Sequence, residues 1–278
     1  MNRDQKRLAL FCTVTFGFSW IYWLAVLASA RHRIDYRVPL TPLGAFGPAL
    51  GALVTAAVMG GRSEIGRLLR RLRTRGITWR GIGLALVAWP ALVAIAIGAA
   101  GFGGAQLSVA PQLSLAVVAL SFIEILIFTA AGEELGWRGY ALPILLDRTR
   151  PDVASIIVGS IWAVWHLPLF WIPGTAQAAI PFGYFALAVI ASSFVYTAVF
   201  RLTAPSVIAV MLLHTIADVS LSIAQIGWPQ ATDGAVFWFT YLGVLVLTGA
   251  AIAIHLARSR RPMSTADVGR GCDDRRAQ

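Results

Sequence analysis

The chain has 278 residues, of which 58% are apolar and only 13% charged, with a formal net charge of +10. A soluble domain carries about 25% charged residues, so this composition excludes an ordinary water-soluble globule and is that of a membrane protein. The basic surplus does not imply a nucleic-acid partner, because in a membrane protein Lys and Arg first report orientation.

Apolar runs long enough to cross ~30 Å of hydrocarbon lie at about residues 8–30, 40–60, 82–101, 113–136, 154–172, 182–201, 205–223 and 236–257. The first run follows a basic N-terminus and ends on Ala-Ser-Ala, as a signal peptide would. Its length exceeds the roughly 7–15 residues of a signal core, so it reads as a retained span. Pro90 falls within the third run, where a membrane helix tolerates it. The two cysteines, Cys12 and Cys272, lie in the first run and in the polar tail, which argues against an intrachain disulfide and leaves no zinc knuckle. The expected fold class is therefore all-α: a polytopic membrane bundle of about eight transmembrane helices, forming one domain over residues 1–257.

Basic residues alternate between connections. Arg3, Lys6 and Arg7 precede the first run, and Arg62, Arg67, Arg70, Arg71, Arg73, Arg75 and Arg80 follow the second. Arg138, Arg148 and Arg150 follow the fourth run, Arg201 the sixth, and Arg258, Arg260, Arg261, Arg270, Arg275 and Arg276 the last. The other connections hold only Arg31, Arg33 and Arg37. This alternation places both termini in the cytoplasm. The near absence of Lys reads as the codon bias of a GC-rich genome, and hence a bacterial plasma membrane.

Within residues 61–80, Ile65, Leu68, Leu69 and Leu72 form one stripe among arginines. That pattern suits an amphipathic helix on the anionic cytoplasmic surface, and equally a solvated loop. Residues 258–278 are polar and aperiodic and are expected to be a disordered cytoplasmic tail.

The fourth run leads into Glu133, Glu134 and Arg138. Charged groups at bilayer depth cost roughly 2.5–3.5 kcal/mol each, so such a cluster needs partners and marks a functional site by default. On a helix, Glu134 and Arg138 stand at i,i+4 and can pair, while Glu133 points about 100° away and is free to face something else. The fifth run carries Trp162 and His166 one turn apart with Pro168 beyond, and the seventh carries His214 and Asp218 on one face. A lone intramembrane His is commonly just hydrogen-bonded into a bundle; two His, two Glu, an Arg and an Asp on three spans argue for a site. Glu124 falls on the side of its helix opposite Glu133 and reads as a packing or proton-accepting residue. At 1.5 Å per residue, His214 lies ~14 Å from the cytoplasmic end of its span, His166 ~18–20 Å and Glu133 only ~5 Å. The three agree only if the fourth helix continues past Gly136 or the fifth begins later.

A carboxylate can deprotonate water, one His can share that water, and another can donate to a developing oxyanion. Alternatively, Glu133, His166 and His214 are a ligand set for catalytic Zn²⁺ with one position left for water. The residues leave both open, and no HExxH helix favours the metal.

EELGWR (133–138) resembles the EExxxR motif of the CAAX protease and bacteriocin-processing (CPBP, or Abi) family of intramembrane endopeptidases, WAVWH (162–166) its FxxxH motif, and HTIAD (214–218) its HxxxN motif. The likeness covers about residues 110–222. It implies an endopeptidase in which Glu133 and His166 share the attacking water, Glu134 and Arg138 hold the site, and His214 with Asp218 stabilises the oxyanion. It further implies a membrane-associated or lipidated peptide or protein as substrate, cut near the cytoplasmic face. Trp162 in place of Phe reads as aromatic packing. Asp218 in place of Asn matters more, because an ionised Asp offers no N–H; it could serve protonated, by orienting His214, or as a metal ligand. That departure supports an alternative, a non-catalytic membrane peptide-binding or immunity protein on the same scaffold. A proton-coupled transporter is weaker, because no inverted halves are visible.

Overall fold

The computed structural model describes residues 1–31, 41–74 and 77–258. Each apolar run becomes a helix, and local chemistry sets many of the starts. α1 (Arg3–Ala30) opens on a capping box in which the Asn2 side chain accepts from the Gln5 N–H while Gln5 reaches back to the Asn2 N–H. α2 (Gly47–Arg70) follows a 3₁₀ turn over Thr41–Phe46. Thr78 caps α3 (Trp79–Phe102), and Ser114 caps the helix that becomes α4 (Leu115–Leu146). α5 (Pro151–Trp165) has Pro at its first position and Asp152 in its first turn, both suited to a helix N-terminus. α6 (Phe182–Leu202), α7 (Val207–Gly227) and α8 (Ala235–Arg258) complete the bundle. Eight helices are long and apolar enough to cross a membrane, and the described residues contain no strand. The protein is an integral, multi-pass membrane protein.

Two helices differ from the sequence-based boundaries. α4 does not end at Gly136 but runs on to Leu146, passing through two wide π-turns at Leu126–Ala130 and Trp137–Ala141. At 1.5 Å per residue, Glu133 then lies ~20 Å from the C-terminal end of its helix rather than ~5 Å. The depth disagreement between Glu133 and His166 disappears. α2 bends at Gly61, whose φ of 59° and ψ of −153° suit a residue without a Cβ. The helix beyond the bend is a short piece of the amphipathic segment. Leu68 is buried on its inner side, Leu69 is exposed, and Glu64 is buried between Arg7 and Arg67, with which it pairs. Residues 75–76 of that segment, the tail from 259 onward, and Cys272, Arg33 and Arg37 lie outside the described residues.

The helices pack so that α4 crosses the middle of the bundle. Its central turn lies on α2, α1 lies on α2, α5 on α6, α6 on α8, and α3 on α7. The α2–α4 contact is a backbone approach. A Cβ on Gly132 would stand 2.6 Å from the Ala45 carbonyl oxygen, and one on Gly136 2.5 Å from the Pro48 backbone. Small residues four apart permit such proximity between membrane helices, and here they hold the two carboxylates deep inside.

The two ends of the bundle differ chemically. At one end Arg148 pairs with Asp4 at 2.5 Å, Arg71 donates to the Gly139 carbonyl at 2.6 Å, and the Val207 N–H donates to the Arg71 carbonyl. Among the described residues that end holds Arg3, Lys6, Arg7, Arg62, Arg67, Arg70, Arg71, Arg73, Arg80, Arg148, Arg150, Arg201 and Arg258, and the opposite end Arg31 alone. Arg138, assigned to a connection by sequence, is instead fully buried within α4.

Candidate active site

Glu134 is fully buried, and its Oε1 takes the Arg138 Nη1–H at 2.9 Å and the His214 Nδ1–H at 2.8 Å. Because an ionised carboxylate only accepts, Nδ1 carries a proton. The Arg138 guanidinium is held between two rings, 4.5 Å from the Trp162 centroid and 4.4 Å from that of Tyr196, a favourable cation–π arrangement for a fully buried cation. One ion pair on α4 thus fastens α5, α6 and α7 around it.

Glu133, one residue earlier, points elsewhere, as the 100° step demands. It lines a cavity of about 910 Å³ together with Trp162, His166, Tyr196, His214 and Asp218. Its Oε2 accepts the Trp162 Nε1–H at 2.5 Å. Trp162 is the common neighbour of the cluster: its ring lies 5.9 Å from that of His166 and 5.7 Å from that of His214.

His166 stands where α5 ends and a 3₁₀ turn (Leu167–Trp171) begins. Its backbone N–H bonds to Ala163 instead of Trp162. The Trp162 carbonyl is thereby left to accept from the His166 ring at 2.8 Å. A carbonyl cannot donate, so Nδ1 bears the hydrogen and Nε2 keeps the lone pair. Phe185 and Trp165 enclose the ring, with centroids at 4.9 and 4.7 Å.

His214 meets Glu134 through Nδ1 and Asp218 through Nε2, the latter at 3.4 Å. Asp218 is 45% exposed in its side chain and faces the cavity. All six residues singled out from the sequence are thus brought together: Glu133, His166, His214 and Asp218 on the cavity wall, Glu134 and Arg138 behind it.

Trp162 and Tyr196 carry more of the site than the sequence reading assigned. Trp162 is a hydrogen-bond donor to Glu133 as well as a packing ring, and Tyr196 was not singled out at all. Its signal was the polar stretch Ser192, Ser193, Tyr196 and Thr197 in an otherwise apolar span. Glu124 is exposed, so it is not a packing residue.

A zinc ion on Glu133, His166 and His214 would need a lone pair from each. His166 offers Nε2 and Glu133 an oxygen, while His214, held by Glu134 at Nδ1, could offer only Nε2, which Asp218 meets at 3.4 Å. Among the described residues no three His, Cys, Asp or Glu side chains form a group able to hold a metal. In this arrangement the three do not fit a zinc ligand set.

The cavity extends from this cluster to exposed residues of the connection after α5, including Gly174 and Ala176, and to Asp233 before α8. It therefore opens at the arginine-poor end of the bundle. The termini and the cavity mouth thus lie at opposite ends of the bundle.

Residues 115–220, which contain every residue of the cluster, match the model of the Rce1-like type II CAAX prenyl endopeptidases. This stretch is similar to the CAAX protease family. A similar protein of that family is CAAX prenyl protease 2 of Methanococcus maripaludis, 28% identical over 162 residues. The alignment covers 55% of this chain and 57% of that protein, so the chain spans little more than half of its relative's length.

Proposed function

We propose that the protein is an intramembrane endopeptidase of the CAAX protease type, hydrolysing a peptide bond in a membrane-associated or lipidated substrate. The observation that carries this reading is the shared cavity wall of Glu133, His166 and His214. Glu133, with one oxygen held by Trp162, accepts a proton from water through the other. His166 Nε2, the ring position left with a lone pair, takes the second hydrogen bond of that water and orients it. The water oxygen attacks the scissile carbonyl carbon, and the carbonyl oxygen becomes an oxyanion.

In this reading His214 meets that oxyanion through an Nε2–H, and the bond from Nδ1 to Glu134 supports the ring from its other side. Collapse of the intermediate breaks the C–N bond, and the proton held by Glu133 passes to the leaving amine. Asp218 contacts His214 Nε2 only at 3.4 Å, so it orients the ring loosely, and a substrate carbonyl can displace it. That no three His, Cys, Asp or Glu side chains are gathered as a metal site among the described residues supports activated water over bound zinc. A bacterial plasma membrane remains the proposed location.

The test is cleavage of a library of membrane-tethered peptides by the reconstituted protein, its Glu133→Ala and its His166→Ala variants. Loss of cleavage in both variants is the expected result, with wild-type activity unchanged by chelator treatment. Peptide binding without cleavage in any form would replace the hydrolase by a peptide-binding protein. Loss on chelation with recovery on adding Zn²⁺ would overturn the water mechanism.

A further inference from the structure

We infer that Arg71, which does not line the cavity, is a positioning residue: it sets the offset of α4 against α7 and so keeps His214 within reach of Glu134. Its effect on rate rests on the hydrolase reading, but its principal test does not depend on cleavage. Two observations carry it. The first is a gap in the backbone of α4. In an α-helix the Gly139 carbonyl would accept from the N–H of residue 143, and Pro143 has none. The helix passes there through its second π-turn, in which the Leu142 N–H reaches back to the Trp137 carbonyl. Gly139 is buried, and a buried carbonyl needs a donor. The Arg71 Nη1–H supplies one at 2.6 Å.

The second is what else the same turn of chain holds. Just beyond α2, the Arg71 carbonyl accepts the Val207 N–H at 2.8 Å, and the Arg73 carbonyl accepts the Ser206 hydroxyl at 2.9 Å. Both donors stand at the start of α7. Val207 is its first residue, and Ser206 directs its hydroxyl to Arg73 instead of capping the helix. The helices also close on one another at this level. A Cβ on Gly139 would stand 3.2 Å from Leu68 Cδ1 on α2 and 3.4 Å from Val207 Cγ2 on α7. Arg71 thus ties the turn of α4 that carries Arg138 to the first turn of α7. Counting 1.5 Å per residue, Glu134 lies ~8 Å from Gly139 and His214 ~10 Å from Val207 along their helices. A helix does not stretch over two turns, so a slip at Arg71 reappears at the 2.8 Å bond between Glu134 and His214.

Three substitutions separate the donor from the packing. Arg71→Met keeps the stem and removes the donor, whereas Arg71→Lys keeps a donor for the single carbonyl. Pro143→Ala gives Gly139 a backbone N–H in place of the guanidinium. The chain has four His, so isotope labelling of histidine alone gives a readable spectrum of ring nitrogens in detergent, assigned with His166→Gln and His214→Gln. In Arg71→Met the His214 Nδ1–H resonance is expected to move upfield or broaden. That of His166 is expected to stay, because its bond to the Trp162 carbonyl is local, four residues apart. Arg71→Lys, and Arg71→Met combined with Pro143→Ala, are expected to restore the His214 resonance.

On a peptide that wild type cuts, Arg71→Met should lower kcat roughly 10- to 100-fold and change KM less than about two-fold, since a misplacement near 1 Å costs on the order of 10² in rate. An unchanged His214 resonance in Arg71→Met overturns the inference. So does a loss of that resonance, or of folding, that neither Arg71→Lys nor Pro143→Ala restores. A peptide library left uncut by every form, wild type included, would remove the hydrolase reading and leave the positioning role to be decided by the His214 resonance alone.

Discussion

The indole N–H of Trp162 donates to Glu133 Oε2 at 2.5 Å, while the face of the same ring lies 4.5 Å from the Arg138 guanidinium. A single side chain thus positions the proposed base and covers the ion pair behind it. Phenylalanine, which the family motif has at this place, could do only the second. In Trp162→Phe the ring remains but one oxygen of Glu133 loses its donor. A hydrogen bond to a charged group contributes about 1.5–3 kcal/mol, so kcat/KM is expected to fall roughly 10- to 100-fold, with little change in thermal stability. An unchanged rate would reduce Trp162 to a packing residue.

Arg138 and Glu134 form a fully buried pair. Removing one partner of such a pair strands the other and costs about 3–5 kcal/mol. Arg138→Ala is therefore expected to lower the unfolding midpoint in detergent far more than Glu134→Gln, which keeps an oxygen able to accept from Arg138 and His214. Arg138→Lys should recover little, because an ammonium cannot reproduce a planar cation stacked between Trp162 and Tyr196. Equal stability of Arg138→Ala and wild type would contradict the arrangement.

Much of this fold was legible because lipid admits few solutions: helices of about 20 apolar residues with internally satisfied backbones. The end of α4 was not. Hydropathy falls at Glu133, Glu134 and Arg138 whether they face water or each other, and only the packed structure separates the two. The Glu134–Arg138 pair could be read from i,i+4 spacing, whereas the bond from His214 to Glu134 could not. The role of Trp162 could not, since an aromatic letter does not say where its N–H points. Charge counting separated the two ends of the bundle; it could not say at which of them the cavity opens, which depends on how the connections after α5 and before α8 line it.

Gly132 and Gly136 are expected to be intolerant of even one methyl group. The backbone of Ala45, just before α2, and of Pro48 within it lies 2.5–2.6 Å from where each Cβ would sit, and backbone cannot turn aside as a side chain can. Overpacking costs about 1–3 kcal/mol, and relief by moving α4 would carry Glu133 away from His166. Gly136→Ala should lose both stability and cleavage, measured by thermal unfolding and initial rates. A stable, fully active Gly136→Ala would show that the helices part without disturbing the site.

Asp218→Asn restores an amide N–H beside His214 Nε2. The contact it replaces is long, at 3.4 Å, and its carboxylate is 45% exposed, so little stability is at stake; exposed pairs contribute about 0–1 kcal/mol. An amide donates to an oxyanion where a carboxylate repels it, and kcat is expected to rise several-fold on a peptide already cut by wild type. A fall of more than ten-fold would mean that the carboxylate itself acts in the reaction.

The most direct measurement is a double-mutant comparison of Glu133→Gln, His166→Ala and the two combined, by single-turnover cleavage of one membrane-tethered peptide. If both residues act on one water molecule, either change removes that water's activation. The combined variant is then expected to be no slower than the worse single variant, because groups that act as a unit are grossly non-additive. Losses that multiply, or Glu133→Gln cutting at close to the wild-type rate, would contradict a water shared between Glu133 and His166.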